Sequence, residues 1–387
     1  MSKLKFTGIL FIAIVLILTV AITPGCKATT AEATSAPETV IVKETVVETV
    51  IKEVEKVSPY TFDKLREMAN ARKYEDTPAK GIKVAFQNLG DVDFTVAVEK
   101  SIVDEWALAG GNKEDLTILS ADFDTAKAAQ NHDVIFGMKP DVWVQFWYDG
   151  KQNDLVGLRA QQEGIPIIAI DIPVLGATFM GANNYLAGRM IGEFIIEYAE
   201  KNWGGWDNVD MVTTPDAPFA GAVVNQRILG PLDVLFEKYG ESAAYEIGKG
   251  QLEGSKIVLM PMSGATTAEV SSEVIRNILS AYPDAKKIVN ISINAQGVAG
   301  VQAGADTLGR WNADDWLMVT NGGEQQGNQL MRDGLLDGDV AYFPENYGQY
   351  IIPAIIAIKM GNPVPPDILV DHIMLTPDNL DQYYPAS

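Results

Sequence analysis

The residues best suited to ligand chemistry fall in loops that directly follow short apolar runs of the sequence. These loops are rich in Asp, Asn, Gln and aromatic residues and poor in Lys and Arg; they are 88–94, 121–124, 147–150, 171–173, 214–219, 292–294 and 321–325. None contains a GxxxxGK(S/T) pattern or a convincing GxGxxG pattern, the glycine-rich loops that cradle phosphates. We therefore expect a ligand that is neither a nucleotide nor a polyphosphate.

The chain has few histidines and cysteines with which to bind a metal or to activate a nucleophile. The two histidines, His132 and His372, are far apart in the sequence, and Cys26 is the only cysteine. A Cys/His metal site, a His-based catalytic triad and an intrachain disulfide are therefore not expected. The aspartates near 207–210 and 333–339 lack the spacing of a calcium loop. We predict no metal, no cofactor and no catalytic residue.

The elements that must position these loops alternate from residue 81 onward. The predicted strands are 82–87, 116–120, 142–146, 167–170, 209–213, 257–260, 288–291 and 317–320. The predicted helices are 96–109, 125–138, 152–162, 185–198, 223–239, 265–280, 296–305 and 327–333. Strict alternation favours α/β structure, with parallel sheets covered by helices on both faces. Ligands bind beyond the carboxyl ends of such strands, where these loops lie.

Two doubly wound lobes fit the 387 residues better than one open sheet does. A single eightfold barrel is the alternative, but the extended segments 364–370 and 372–375 have no following helices and disfavour it. The formal net charge of −21 disfavours binding to a phosphate backbone, so nucleic acid is not an expected partner.

The N-terminal residues predict export. Lys3 and Lys5 precede an apolar run, 8–22, and small residues then lead to Cys26. This is the layout of a secretion signal, and it resembles a bacterial lipobox, whose cysteine is acylated. A retained signal anchor is the alternative, although a run of about 15 residues is shorter than the roughly 20 of a membrane-spanning helix. Both interpretations place the remaining chain outside the cytoplasm, on a membrane surface.

The region after the signal predicts a spacer. We expect residues 1–25 to be a lipoprotein signal peptide, 26–58 a flexible tether and 59–80 a lead-in helix. The tether contains a Val/Ile and Lys/Glu alternation over 40–55, and a self-associating stalk is the alternative.

Five segments of the body resemble the periplasmic sugar-binding proteins of ABC importers, of the ribose/galactose type. They are 84–94, 163–171, 183–192, 294–300 and 343–348. The most specific, Asn-Asn-Tyr-Leu-Ala-Gly-Arg-Met-Ile-Gly at 183–192, is similar to the family's DN-x-x-AG-x-x-x-G at a hinge crossing. The resemblance spans about 82–378 and implies the type I fold, with two lobes joined by a three-stranded hinge. It implies an N-terminal lobe of 81–181 plus 343–368 and a C-terminal lobe of 182–342 plus 369–387.

The same resemblance implies the ligand-binding residues. The matching positions are Asp91, Phe94, Phe146, Trp147, Asp171, Arg227, Asn294, Asn321 and Tyr342. Phe219 is added because of its place in the loop 214–219. In such sites aromatic rings cover the CH face of a sugar, while Asp, Asn and Arg side chains bind its hydroxyls. The sequence departs from the ribose-type pattern at Ile172, where that pattern has an arginine, so the particular sugar stays open.

Each of these residues also has a structural interpretation. Asp171 and Asn294 are suited to capping or turns, Arg227 to a surface charge, and Phe94 and Trp147 to the core. An exported glycosidase would need two facing carboxylates, for which Asp91 and Asp171 are the candidates.

The predicted function is solute capture without catalysis. We expect a monomeric, lipid-anchored extracytoplasmic protein, in the periplasm or at the cell surface, that is not an enzyme. It would bind a small sugar or related polyol by hinge closure and deliver it to an ABC transporter permease. A sensory receptor for chemotaxis or kinase signalling, and a nucleoside or autoinducer-type ligand, are the alternatives.

Overall fold

Two sheets form the body of the protein in a computed structural model, which describes residues 60–216, 221–261 and 267–386. The predicted signal peptide, the tether, Cys26 and Phe219 lie outside these described residues. Within the described ranges, no helix combines the length and the apolar composition that crossing a membrane requires.

The first lobe is built on a six-stranded sheet. Its strands are β1 (Val84–Asn88), β2 (Leu116–Ser120), β3 (Val142–Gln145), β4 (Ile167–Ile170), β5 (Thr178–Gly181) and β11 (Asp367–Leu369). The strand order is β11-β5-β4-β3-β1-β2, and every neighbouring pair is parallel. Its helices are α1 (Phe62–Asn70), α2 (Asp93–Leu108), α3 (Thr125–Met138), α4 (Gly150–Glu163) and α10 (Gly348–Lys359).

The second lobe repeats this plan. Its strands are β6 (Met211–Asp216), β7 (Ile257–Pro261), β8 (Ile288–Ile291), β9 (Trp316–Gly322), β10 (Gly338–Ala341) and β12 (Ile373–Leu375), in the order β12-β10-β9-β8-β6-β7. Only the β10–β12 pair is antiparallel among these described strands. Its helices are α5 (Asn184–Trp203), α6 (Gly221–Tyr239), α7 (Ala268–Ala281), α8 (Ala295–Thr307), α9 (Gln325–Arg332) and α11 (Leu380–Tyr383).

Local chemistry explains the burial of the central strands and the bounds of the helix that follows β3. All residues of β3 and β4 are buried, as expected for parallel strands covered on both faces. The helix α4 begins where the Asp149 carboxylate accepts the amide protons of Lys151 and Gln152, and it ends at Gly164 with φ +70°. Such capping satisfies amides and carbonyls that have no partner within a helix. Loops at the carboxyl ends of the strands are therefore short and fixed.

Three segments of chain connect the two lobes, and we call them the hinge crossings. The first crossing is 182–183, between β5 and α5; the second is 342–347, between β10 and α10; the third is 370–372, between β11 and β12. The Val370 amide donates to the Gly181 carbonyl at 3.1 Å, so the first and third crossings leave the first sheet side by side.

The predicted α/β fold with two doubly wound lobes is confirmed, and the eightfold barrel is wrong, because the strands form two separate sheets. All eight predicted strands exist, with ends shifted by a few residues. Two further strands, β5 and β10, and the helix α10 were not predicted. The sequences of β5 and β10, Thr-Phe-Met-Gly and Gly-Asp-Val-Ala, are too short and mixed to indicate a strand without their partners in the sheet.

Candidate ligand-binding site

Asp171 lies where the first lobe meets two of the hinge crossings. It follows β4 with φ +55°, and only 4% of its surface is exposed. Its Oδ1 accepts the Ala182 amide proton at 3.1 Å, and the Tyr347 hydroxyl lies 3.2 Å from both carboxylate oxygens. Burial raises the pKa of Asp171, while the charge of Arg227 and these two hydrogen bonds act to lower it.

Gly181 leaves the space that this carboxylate occupies. A Cβ atom at Gly181 would lie 2.3 Å from Asp171 Oδ1 and 2.9 Å from its Cα. A side chain at residue 181 would therefore push Asp171 away from the first crossing. The absence of a Cβ at the end of β5 is what allows the carboxylate to sit against the crossing.

Arg227 extends from α6 of the second lobe toward the same hinge. Its Nε donates to Asn184 Oδ1 at 2.7 Å, and its Nη1 donates to the Ile293 carbonyl at 3.2 Å. Its guanidinium carbon lies 5.0 Å from the centre of the Tyr342 ring. Burial acts to lower the pKa of Arg227, but Tyr342, Asp171 and other neighbours raise it above its ordinary value. Arg227 therefore carries a full positive charge beside Asp171.

Tyr342 joins these groups from the second crossing. Its side chain is fully buried, and its hydroxyl lies 3.0 Å from Asn321 Oδ1 and 3.3 Å from Asn184 Oδ1. A hydroxyl has one proton, so it fully satisfies only one of these two oxygens at a time. The Tyr342 ring packs against His372 at 5.2 Å between centroids, and His372 Nε2 accepts the Asn183 amide proton at 2.9 Å. His372 thus connects all three crossings.

Three buried nitrogen atoms around Tyr342 have no hydrogen-bond partner among the described residues. They are Asn184 Nδ2, Asn321 Nδ2 and His372 Nδ1. Asn184 and Asn321 are each only 1% exposed. The orientation of Asn184 is set by Arg227, which can only donate, so its Nδ2 is a free donor. Burying such a group without a partner costs about 1–3 kcal/mol, and a ligand oxygen would recover that cost.

Aromatic rings line the first-lobe side of the cluster. Phe94 contacts Phe146 edge-on, with centroids 6.4 Å apart, and meets Tyr347 at 5.7 Å and 90°. Phe94 remains partly exposed, whereas Phe146 is 4% exposed. Since the hydroxyl of Tyr347 binds Asp171, the rings and the carboxylate form one connected wall. That wall offers an apolar face next to a hydrogen-bond acceptor.

Residues 82–363 match the family model of the periplasmic binding protein domain. The chain belongs to this family. An ABC transporter solute-binding protein of Mycobacterium smegmatis with bound glycerol is 18% identical over 80% of this chain and 98% of that one, with a TM-score of 0.66. A protein of Bacillus halodurans with bound myo-inositol is 16% identical over 80% and 99%, with a TM-score of 0.63.

An arabinose-binding protein of Geobacillus stearothermophilus has the same fold as this periplasmic binding protein. It is 16% identical over 79% of this chain and 100% of that one, with a TM-score of 0.62. A comparison with curated proteins found no match. The resemblance to the family predicted from the five sequence segments is therefore confirmed.

The structure of this periplasmic binding protein joins six of the ten predicted site residues through direct contacts or shared neighbours. They are Phe94, Phe146, Asp171, Arg227, Asn321 and Tyr342. Three partners in that network were not predicted to be site residues: Asn184, Tyr347 and His372. Asn184 and Tyr347 lie inside the segments that resemble the family, which was the available signal for them. Nothing in the sequence pattern indicated His372.

Four predicted residues lie outside this network of contacts. Asp91 is exposed in the loop before α2, and no contact among the described residues joins it to the buried Asp171. Trp147 is fully buried against Ala121 and Ala128 inside the first lobe. Asn294 caps α8 by accepting the Gly297 amide proton at 2.9 Å, directly after the carbonyl that binds Arg227. Phe219 lies outside the described residues.

Proposed function

We propose that this protein is an extracytoplasmic solute-binding protein that captures a small sugar or related polyol between its lobes and delivers it to an ABC transporter permease. Membership of the periplasmic binding protein family supports capture rather than catalysis. Proteins of the same fold hold glycerol, myo-inositol and other small polyhydroxy compounds. The observation that carries the proposal is the set of unpartnered polar groups of Asn184, Asn321 and His372 beside Arg227 and Asp171.

The chemistry of the cluster suits a neutral polyhydroxy ligand. Hydroxyl groups both donate and accept, so one ligand can accept from the Asn184 and Asn321 amides and donate to the Asp171 carboxylate. Arg227 and Asp171 neutralise each other across the lobes, which leaves little net charge for an ionic ligand to balance. The partly exposed ring of Phe94 offers its face to CH groups. Contacts from both lobes favour the closed form when the ligand is present.

The remaining predicted site residues have places around this centre. We assign Asp91 and Asn294 to the rim of the cleft, on the loops before α2 and α8, and Phe219 to the loop before α6. Trp147 has a core role instead, because its ring is buried against Ala121 and Ala128. The lobe boundaries near 181, 342 and 369 divide the chain so that Asp171 moves with one lobe and Arg227 with the other.

The same proposal includes export and anchoring. The sequence around Cys26 supports acylation of that cysteine after removal of residues 1–25, with 26–58 as a spacer between the lipid and the body. Metabolic labelling with a palmitate analogue, in the wild type and in Cys26→Ser, tests this part. Label that persists in Cys26→Ser would refute acylation at this residue.

A thermal-shift screen of the full-length protein in non-ionic detergent tests the solute class. Ribose, arabinose, galactose, myo-inositol and glycerol form one set, and adenosine represents nucleosides. A ligand at about 100 times its Kd adds about 2.7 kcal/mol to the free energy of unfolding. We expect one member of the sugar and polyol set to shift the Tm, and the shift to disappear in Asn321→Ala.

The matched control is Asn362→Ala, an asparagine remote from the cluster whose Nδ2 donates to the Tyr60 carbonyl. This variant should retain the shift. A shift with adenosine alone would overturn the sugar assignment. We call Asp171, Asn184, Arg227, Asn321, Tyr342 and His372 the hinge cluster, and equal loss in both variants would show that it is not the binding site.

A further inference from the structure

A groove lies between the two lobes, next to the hinge cluster. It has a volume of about 1150 Å³ and is walled by α2 of the first lobe, α9 of the second lobe, the second crossing and the C-terminal residues. None of the ten predicted site residues lines it. Because its walls belong to different lobes, anything bound in it contacts both.

Carboxylates from three of these four walls line the groove. Asp93 comes from α2, Glu324 from the residue before α9, and Glu345 from the second crossing. None of the three forms an ion pair with a basic residue in the described part of the chain. The two basic residues that also line the groove are engaged elsewhere: Lys100 pairs with Asp104, and Arg332 pairs with Asp381.

Glu324 is the carboxylate of this groove whose charge is opposed by both burial and neighbouring acids. Burial, together with the negative charges of Asp339 and Asp93, raises its pKa to about 7, against the opposing charge of Arg227. Asp339 is itself buried, and it accepts the Gly323 amide proton with both oxygens at 3.2 Å. A cation placed beside Glu324 would therefore favour its ionised form over its protonated form.

Asn328 gives independent support for a ligand with N–H donors. It lines the groove, only 5% of its surface is exposed, and its Oδ1 has no hydrogen-bond partner among the described residues. The rings of Tyr383 and Tyr384 also line the groove, and aromatic faces attract organic cations. Acceptors, negative charge and aromatic rings together describe a site for an ammonium group. No group of three or more acidic, His or Cys side chains in the described residues is arranged to hold a metal ion.

We propose that this groove binds a small organic ammonium cation, which bridges Asp93 of the first lobe and Glu324 of the second and stabilises the closed arrangement. The ammonium group donates to the carboxylates and to Asn328, and its alkyl chain lies against the tyrosine rings. The groove adjoins the hinge cluster, because Glu324 lies close enough to Arg227 for their charges to interact, but the proposed contacts are made by other residues: Asp93, Glu324 and Asn328.

Isothermal titration calorimetry of the full-length protein in non-ionic detergent tests it, with putrescine as the probe. We expect saturable binding with a Kd below about 1 mM, which corresponds to about 4 kcal/mol. 1,4-Butanediol, which has the same length without the charges, should not bind. Because a nearby cation favours the ionised form of Glu324, binding near pH 7 should release a fraction of a proton, measured from titrations in buffers of different ionisation enthalpy.

Charge-matched variants separate this site from general attraction to an acidic protein of formal charge −21. Glu324→Gln and Asp93→Asn should each weaken putrescine at least about tenfold, a change of about 1.4 kcal/mol, and Glu324→Gln should abolish the proton release. Asp154→Asn, an exposed carboxylate on α4, should change neither. Equal weakening by Asp154→Asn, equal binding of butanediol, or no binding of putrescine would each overturn the proposal.

Discussion

The two lobes share one strand order but present different surfaces to the ligand. In both sheets the chain follows the same path, and the edge strand differs only in direction: β11 is parallel to β5, whereas β12 is antiparallel to β10. The first lobe contributes the rings of Phe94 and Phe146 beside one carboxylate. The second lobe contributes Arg227, which donates to the Asn184 carboxamide, and Asn321, whose Oδ1 accepts from the Tyr342 hydroxyl of the hinge. One scaffold therefore supplies an apolar wall and a polar wall.

This division predicts unequal sensitivity to mutation. A polar side chain in a buried network has partners that are left unsatisfied when it is removed, and each such group costs free energy. Truncating a ring removes only apolar contact area, which costs less and tolerates substitution by another apolar side chain. Substitutions in the second lobe should accordingly affect solute binding more than substitutions in the aromatic wall of the first lobe.

The largest effect is expected from Arg227→Met. It removes the closer of the two donors to Asn184 Oδ1 and the positive charge that acts on Asp171. We expect solute affinity to fall about a hundredfold, or about 3 kcal/mol, measured by calorimetry with the solute identified in the screen. Arg276→Met is the control, because this arginine of α7 only donates to Ser272 on the same helix. An affinity within threefold of the wild type in Arg227→Met would contradict the polar role of the second lobe.

The buried side chain of His132 should make the free energy of unfolding depend on pH. His132 lies inside the first lobe, 7% exposed, with Nε2 at 3.1 Å from Gln145 Nε2. Burial lowers its pKa to about 4, so the folded protein holds it neutral. The unfolded chain binds a proton near pH 6.5, so the contribution of His132 to stability falls as the pH decreases below that value, while buried carboxylates of raised pKa such as Asp337 and Asp339 act in the opposite direction. Between pH 7 and pH 5 this histidine should remove about 2 kcal/mol from the free energy of unfolding.

Urea unfolding at several pH values measures this effect. Relative to the wild type, the free energy of unfolding of His132→Gln should rise by that amount between pH 7 and pH 5. Burial also lowers the pKa of His372, so His372→Gln should change the pH dependence of the free energy of unfolding in the same direction as His132→Gln. If neither substitution changes the pH dependence relative to the wild type, the prediction that these histidines are held neutral in the folded protein is wrong.

Tyr342→Phe should have an intermediate effect, on stability more than on affinity. The variant keeps the ring that packs against Arg227 and His372 but removes the hydroxyl near Asn321 and Asn184. We expect a loss of about 1.5 kcal/mol in the free energy of unfolding, measured with urea at pH 7. Tyr282→Phe, whose hydroxyl only contacts Gln251 at the surface, should change stability by less than about 0.5 kcal/mol.

The fold was largely predictable because parallel strands that are buried on both faces appear in the sequence as short continuous apolar runs. The runs Val-Trp-Val-Gln and Ile-Ile-Ala-Ile are short and rich in β-branched or aromatic residues, which favours buried strands. The helix α10 was missed because eight of its twelve residues are buried and the continuous buried run 351–357 includes Pro353, so no amphipathic period appears. In such a segment only the tertiary environment decides between helix and strand.

The candidate site was predictable in part, and the reason lies in sequence separation. Asp171 and Arg227 were identified by the resemblance of short segments to the family. The contact between Tyr347 and Asp171 joins residues 176 positions apart, and the contact between His372 and Asn183 joins residues 189 positions apart. These contacts exist only because the chain crosses the hinge three times. No local sequence pattern at Tyr347 or His372 indicates these long-range contacts.

The smallest effect should come from the apolar wall, through Phe94→Leu. Leucine keeps much of the apolar surface against Phe146 and Tyr347 but loses the flat ring face. We expect solute affinity to fall about threefold to fivefold, which is under about 1 kcal/mol. Phe136→Leu is the matched control in the same lobe: this ring packs on Trp143 in the core, so the change should lower stability and leave affinity unaltered. A loss as large as that of Arg227→Met would show that the two walls share the binding energy equally, because an apolar contact would then stabilise the ligand as much as the buried polar network does.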